Sequence, residues 1–181
     1  MIARHFLIVP GINGSDETHW QTMWETAWGP SASRLAPSSW DNPTLDDWTA
    51  ALDRAVTAID DDVVIVAHSL GCHAATARPV RPNVRGLFLV APPDLTAPNF
   101  PSEAATFASL TPEPVAAPGL VVFSEDDPYC TLAGSVRMVK GWGLPHVSAG
   151  SVGHINAAGG VGGWEFGQAL LIAFTAGLTR N

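Results

Sequence analysis

Short apolar runs alternate along this chain with longer segments whose apolar residues recur at helical spacing. The runs predict β-strands at 6–9, 63–67, 86–91 and 119–123, and less regular runs predict two more at 33–36 and 144–149. The intervening segments predict helices at about 18–28, 45–60, 70–78, 102–110, 131–140 and 164–178. Because strands and helices alternate and the strands are apolar throughout, we expect a mostly parallel sheet of about six strands with helices on both faces.

Two of the predicted helices carry a clear apolar stripe. In the segment after Thr44, an expected N-cap, residues 45, 48, 52, 56 and 59 are apolar and lie on one helical face. Trp20, Trp24 and Trp28 also share one face, which predicts packing on the sheet. The alternative is that one of these tryptophans lines a substrate pocket, because their helix starts just after the first strand.

Length, charge and cysteine content narrow the class of protein. The 181 residues fit one domain over 1–181, and the net charge of −8 disfavours a nucleic-acid or anionic-membrane partner. The apolar run at 6–9 is too short for a signal-peptide core or a membrane span, so we expect a cytoplasmic protein. Cys72 and Cys130 form no CxxC pair, which leaves a disulfide only as an alternative. No metal-ligand motif is present, and we expect no metal and no cofactor.

The stretch VVIVAHSLGCHAA, residues 63–75, ends a buried strand abruptly at a serine. A tight strand-to-helix turn at Ser69 would expose its hydroxyl to a base and direct the following N–H groups at an anion. Such a turn needs small residues two positions before and after the serine, and Ala67 and Gly71 occupy them. The pattern is therefore A-x-S-x-G rather than G-x-S-x-G, and the alternative is an ordinary helix N-cap.

An acid and a histidine follow in loops after later strands. The acid is Asp126 or Asp127, and we prefer Asp127 because Pro128 restricts its backbone. The base is His154, which lies in the glycine-rich stretch SVGHINAAGG. Its main competitor is His19, whereas we expect the side chain of His68 to point away from the adjacent serine. The order Ser, Asp, His is that of the α/β hydrolases.

The loop PGINGS after the first strand supplies candidates for the rest of the site. An oxyanion hole needs two N–H groups, and we expect them from Leu70 and from Ile12, with Asn13 as the alternative to Ile12. Residues that we expect near the substrate are Gly11, Asn13, His19 and Trp20. A phosphate-binding role for this loop is disfavoured, because it lacks the P-loop lysine and the GxGxxG spacing.

Five stretches together resemble one family of small α/β hydrolases that includes the retinoblastoma-binding serine hydrolase and the YdeN-like proteins. They are FLIVPGINGSDETHW, VVIVAHSLGCHAA, LFLVAPPD, SEDDPYC and GHINAAGGVGGW. The resemblance implies a three-layer α/β-hydrolase fold with a minimal lid or none, and a triad of Ser69, Asp127 and His154. It also implies hydrolysis of carboxylic esters, the activity that family members have in general. Some family members look like protein-binding proteins.

These observations predict a serine hydrolase that cleaves a small or short-chain carboxylic ester through an acyl-enzyme. Segment 92–118, with seven prolines, is the expected partial cover of the site, and a long-chain lipase would need more cover. The alternative is a catalytically weak or inactive protein that keeps the fold and serves as a protein-binding module.

Overall fold

A six-stranded sheet forms the centre of the computed structural model, which describes residues 4–178. The strands are β1 (Arg4–Val9), β2 (Ala32–Arg34), β3 (Asp62–His68), β4 (Val84–Val90), β5 (Gly119–Phe123) and β6 (His146–Ser148). All of them pair in parallel, in the spatial order β2-β1-β3-β4-β5-β6. The predicted sheet is confirmed, and the two less regular runs form its edges.

Five helices cover the two faces of this sheet, namely α1 (Trp20–Trp28), α2 (Leu45–Thr57), α3 (Leu70–Thr76), α4 (Leu132–Trp142) and α5 (Glu165–Gly177). Side chains of β3 alternate between the faces: Val63 and Ile65 pack with α2, α3 and α4. Val64 and Val66 pack with α1 and α5. Because both faces are buried, β3 is apolar at every core position, which confirms the three-layer fold.

The fourth predicted helix, at 102–110, is wrong, because this segment forms no α-helix. Ser102–Phe107 forms a 3₁₀ helix that is interrupted at Ala104, where φ is −99° and ψ is 18°. Its backbone bonds span three residues, from the N–H of Ala104 to the carbonyl of Pro101 and from Ala108 to Ala105. Ala104 and Phe107 pack with Trp48 and Leu70 in a separate apolar cluster, so tertiary contacts rather than local propensity set the conformation of this segment.

The chain order places the loops that carry the candidate residues at one edge of the sheet. Strand order reverses between β1 and β3, so the loops after these two strands diverge and leave a crevice at their carboxyl ends. The loops that follow β5 and β6 reach the same edge. None of the helices within residues 4–178 is long and apolar enough to cross a bilayer. Both cysteines are buried and free, so the alternative of a disulfide is wrong.

Candidate active site

Ser69 occupies a strained turn between β3 and α3. Its φ of 54° and ψ of −128° lie in a region that costs a non-glycine residue about 1–3 kcal/mol. The Ser69 N–H donates to the Val90 carbonyl at 2.9 Å, which ties the turn to the neighbouring strand. The Ser69 side chain makes no capping hydrogen bond to α3, so the alternative of an ordinary N-cap is wrong.

Two glycines let the backbone approach Ser69 closely. A Cβ on Gly71 would lie 2.4 Å from the Val9 carbonyl oxygen, and a Cβ on Gly11 would lie 2.7 Å from the Ser69 Cβ. Neither distance is tolerated between real atoms, so both positions require glycine. Ala67, the departure from the G-x-S-x-G pattern, is fully buried, and the turn forms with it.

His154 lies between Ser69 and Asp127. Its Nε2 is 2.8 Å from the Ser69 Oγ, and its Nδ1 is 2.9 Å from Asp127 Oδ2 and 3.0 Å from Oδ1. The Asp127 carboxylate also accepts the Tyr129 N–H at 2.9 Å, which fixes its orientation. His154 and Asp127 are each 8% exposed, so bulk water does not compete for these hydrogen bonds.

The neighbouring carboxylate, Asp126, points into the loop that carries His154. Its Oδ1 accepts the Gly153 N–H and the Ser124 hydroxyl, each at 2.8 Å. The Gly153 hydrogen bond and the Ser124 hydroxyl lower the pKa of Asp126, so it stays ionised at neutral pH. Asp127 therefore contacts the imidazole, whereas Asp126 holds the backbone one residue before it.

Two side chains from the centre of the fold hold the other side of this loop. The His68 Nε2–H donates to the His154 carbonyl at 2.9 Å, and the Trp20 indole N–H donates to the Ile155 carbonyl at 2.8 Å. Ile155 has a φ of 47°, which is strained for a β-branched residue. These hydrogen bonds therefore keep the His154 loop in a conformation that the chain would not adopt alone.

The sequence did not reveal these two contacts. Contrary to our expectation, the His68 side chain does not point away from the site. Its ring turns under the His154 loop and lies 4.9 Å from the His154 ring. Trp20 does not line the cavity, because it is fully buried against Trp24 and Trp164. The expectation that Trp20 lies near the substrate is therefore wrong, and the predicted packing on the sheet is confirmed for this residue.

The loop after β1 approaches Ser69 from the opposite side. A tight turn is closed by the Gly14 N–H, which donates to the Gly11 carbonyl at 3.1 Å, with Asn13 at a φ of 66°. The Asn13 N–H is already bonded to the Trp40 carbonyl at 3.0 Å and is not free for an oxyanion. Within residues 4–178, the N–H groups of Ile12 and Leu70 donate to no protein acceptor.

A cavity of about 290 Å³ opens directly above Ser69. The sequence-predicted residues that line it are Gly11, Ile12, Asn13, His19, Ser69, Leu70 and His154. Lining residues that sequence reasoning missed include Pro93, Phe100, Pro101, Tyr129 and Asn156. The first three belong to segment 92–118, which lies along one side of the cavity as the expected partial cover.

Burial keeps the two further histidines of the site uncharged at neutral pH. It lowers the pKa of His19 to about 4, and it lowers the pKa of His68 well below the ordinary value. A proton on either ring would also be repelled by a protonated His154. Within the described part of the chain, no three His, Cys, Asp or Glu side chains form a cluster that could hold a metal ion.

Comparisons with known proteins show the same fold in solved structures. A YdeN-like hydrolase from Pectobacterium atrosepticum superposes with a TM-score of 0.85 and 28% identity, over 98% of this chain and 93% of that one. The ydeN gene product of Bacillus subtilis gives a TM-score of 0.76 and 20% identity, over 96% of this chain and 98% of that one. Est1E of Butyrivibrio proteoclasticus, solved with ferulic acid bound, gives 0.68 and 14% identity, over 96% and 90%.

Sequence comparison assigns the chain to a family. A search of curated proteins found no significant match. The family model described as "Serine hydrolase" matches residues 6–173. This match spans most of the chain, and the chain therefore belongs to the serine hydrolase family, with YdeN-like hydrolases among the structures that it resembles.

Proposed function

We propose that this serine hydrolase cleaves small carboxylic esters, with Ser69 as nucleophile, His154 as general base and acid, and Asp127 as the group that orients His154. The observation that carries the proposal is the continuous series of hydrogen bonds from the Ser69 Oγ through the imidazole to the carboxylate, at 2.8 and 2.9 Å. A strained turn that exposes Oγ, beside two unused N–H groups, supports the same chemistry.

In the first half of the reaction, His154 Nε2 accepts the hydroxyl proton while Oγ attacks the ester carbonyl carbon. The negative charge that develops on the carbonyl oxygen is stabilised by the Ile12 and Leu70 N–H groups. Asp127 accepts the Nδ1–H and stabilises the imidazolium. When the intermediate collapses, the C–O bond to the alcohol breaks, and His154 gives its proton to the leaving oxygen.

Water completes the reaction in the second half. His154 accepts a proton from water, the hydroxide attacks the acyl carbon, and the bond to the Ser69 Oγ breaks. The proton returns to Oγ, and the carboxylic acid leaves. The net reaction consumes one ester and one water and yields one acid and one alcohol, with the enzyme regenerated.

The size of the cavity favours small substrates. Its volume of about 290 Å³ is at the lower end of the range for small-molecule pockets, which is roughly 300–1,000 Å³. Pro93, Phe100 and Pro101 cover only one side, so a long acyl chain would extend into water. We therefore expect the ratio kcat/KM for p-nitrophenyl esters to be highest at two to four acyl carbons and to fall for longer chains.

Labelling with a fluorophosphonate probe tests the proposed nucleophile and base. The wild-type protein is expected to react rapidly, whereas Ser69→Ala and His154→Ala are not. Ser135→Ala is the control, because Ser135 lies in α4 beside Cys130 and does not line the cavity. This control should label at the wild-type rate.

The hydrolase proposal and the protein-binding alternative predict different labelling of the wild-type protein. A folded wild-type protein that neither labels nor hydrolyses any ester of the series would refute the proposal, and it would favour the protein-binding alternative. Labelling that survives in Ser69→Ala would show that the wrong serine was chosen.

A further inference from the structure

His19 lines the cavity above Ser69, but the proposed hydrolysis gives it no role. It is the N-cap residue of α1, where its Nδ1 accepts the Gln21 N–H at 3.2 Å. Capping alone does not call for histidine, because serine, threonine, aspartate and asparagine are the usual N-cap residues. The choice of an imidazole here needs another reason.

The capping bond fixes the tautomer of the ring. Because Nδ1 uses its lone pair to accept the Gln21 N–H, the proton of the neutral imidazole must be on Nε2. Within residues 4–178, Nε2 has no hydrogen-bond partner, although the side chain is only 7% exposed. Since the ring lines the cavity, this N–H is available to a molecule bound there.

The surroundings of His19 keep it a neutral donor. Burial is the largest cause of its lowered pKa of about 4, Arg34 and His154 lower it further, and only Asp16 acts in the opposite direction. At neutral pH the ring is therefore neither a cation nor a general base with a free Nδ1. What remains is a hydrogen-bond donor in a fixed position.

We propose that the His19 Nε2–H binds a second oxygen of the substrate, distinct from the scissile carbonyl oxygen. The preferred substrate is then a small ester that carries an ether, hydroxyl or further carbonyl oxygen in its acyl or its alcohol part. The oxyanion already has two backbone donors, in Ile12 and Leu70, so a third donor is better matched to another acceptor. The polar side chains of Asn13, Tyr129 and Asn156 also line the cavity, which suits an oxygen-bearing substrate.

This inference rests on the proposed ester hydrolysis at Ser69, and two variants separate it from the capping role of His19. Asparagine and serine are both strong N-cap residues, so His19→Asn and His19→Ser keep α1 capped. Their side chains are too short to offer a donor where Nε2 lies. The two variants serve as independent checks, and their thermal unfolding midpoints show that each is folded.

Two pairs of esters that differ by one atom measure the preference for oxygen. In the acyl pair, p-nitrophenyl methoxyacetate has an ether oxygen where p-nitrophenyl butyrate has a methylene. In the alcohol pair, 2-methoxyethyl acetate has an ether oxygen where butyl acetate has a methylene. The preference is the ratio of kcat/KM for the oxygen ester to that for the methylene ester. Comparing this ratio between wild type and variant cancels the difference in intrinsic reactivity.

We expect the preference to fall about two- to tenfold in both variants for at least one pair, which is the effect of one neutral hydrogen bond. The pair that responds tells whether the second oxygen lies in the acyl or the alcohol part. An unchanged preference in both pairs would overturn the inference, whether kcat/KM stays the same or falls equally for both members of each pair. Failure of the proposed function is separately visible, because the wild type would then not react with the fluorophosphonate.

Discussion

Trp20 and Trp24 offer a matched test of how the His154 loop is held. Both lie on α1, are at most 1% exposed and belong to the same core cluster. Both indole N–H groups donate to a loop carbonyl at 2.8 Å, Trp20 to Ile155 and Trp24 to Gly163. Only the first of these carbonyls is next to His154. We therefore predict that Trp20→Phe lowers kcat and that Trp24→Phe does not.

The two substitutions should cost similar stability. Each leaves a buried carbonyl without its donor, which costs about 1–3 kcal/mol. Each also removes part of a ring, a smaller loss than the 3–5 kcal/mol typical of truncating tryptophan to alanine. We expect the free energy of unfolding to fall by about 2–4 kcal/mol in both variants, as measured by urea unfolding.

The effect on kcat follows from the strain at Ile155. Its positive φ costs about 1–3 kcal/mol. The hydrogen bonds from His68 and Trp20 each return roughly 0.5–1.5 kcal/mol. Without the Trp20 bond, the loop loses about half of this compensation, and the productive position of His154 becomes less favourable by about 0.5–1.5 kcal/mol. That corresponds to a roughly 2- to 12-fold lower kcat.

The assay compares kcat for p-nitrophenyl acetate and the rate of fluorophosphonate labelling, at a temperature where both variants are folded. A kcat for Trp20→Phe equal to that for Trp24→Phe would refute the reasoning. The two variants differ in which loop carbonyl loses its donor, and this difference would then have no effect on catalysis. An equal loss of kcat in both variants would mean that general loosening of the core, rather than loss of the hydrogen bond to the Ile155 carbonyl, displaces His154.

Three further predictions address other contacts. Asp127→Asn should lower kcat by roughly 10³–10⁴-fold, whereas Asp126→Asn, which keeps an acceptor oxygen, should lower it less than tenfold; similar values would contradict the assignment. Gly11→Ala should slow labelling by roughly 10²-fold, because its Cβ would lie 2.7 Å from the Ser69 Cβ, while Gly163→Ala, with no atom nearer than 3.9 Å, should not. The buried His73 has a pKa lowered to about 4, so its stabilising contribution is complete above pH 6.5 and is lost as the pH falls toward 4. Urea unfolding between pH 4.5 and 7 should therefore show a shallower pH dependence for His73→Asn, by up to about 1.4 kcal/mol per pH unit, and an unchanged slope would contradict this.

The fold was predictable because its signals are local. The strand that ends at Ser69 is apolar on both faces, and Thr44 caps α2 by accepting the Asp47 N–H as its residue type indicates. Residues 102–110 were mispredicted because their composition suits a helix, whereas their packing against Trp48 and Leu70 is a tertiary contact that the local pattern does not show. The spatial order of the strands is not a local property, and the sequence did not predict it, because parallel strands joined by helices on both faces can be arranged in several orders.

The candidate triad was predictable for a different reason. Ser69, Asp127 and His154 each follow a strand, and parallel strands bring their carboxyl ends to one edge. The choice between Asp126 and Asp127 rested on Pro128, a backbone argument, and the geometry agrees with it. The roles of His68 and Trp20 were not predictable, because each donates to a backbone carbonyl. Every residue has such a carbonyl, so no residue type in the sequence indicates the acceptor.

The His68 and Trp20 donors also explain how a loop after an edge strand can hold the proposed general base in position. The strand before His154, β6, is three residues long and has no fully buried residue, and Gly150 and Gly153 in the loop have positive φ values. Such an edge alone would leave the imidazole free to move by more than catalysis tolerates. Its position comes instead from α1 and β3, which lie at the centre of the fold and donate to the loop. Substitution of Trp20 on the buried face of α1 should therefore lower turnover, although this residue does not line the cavity.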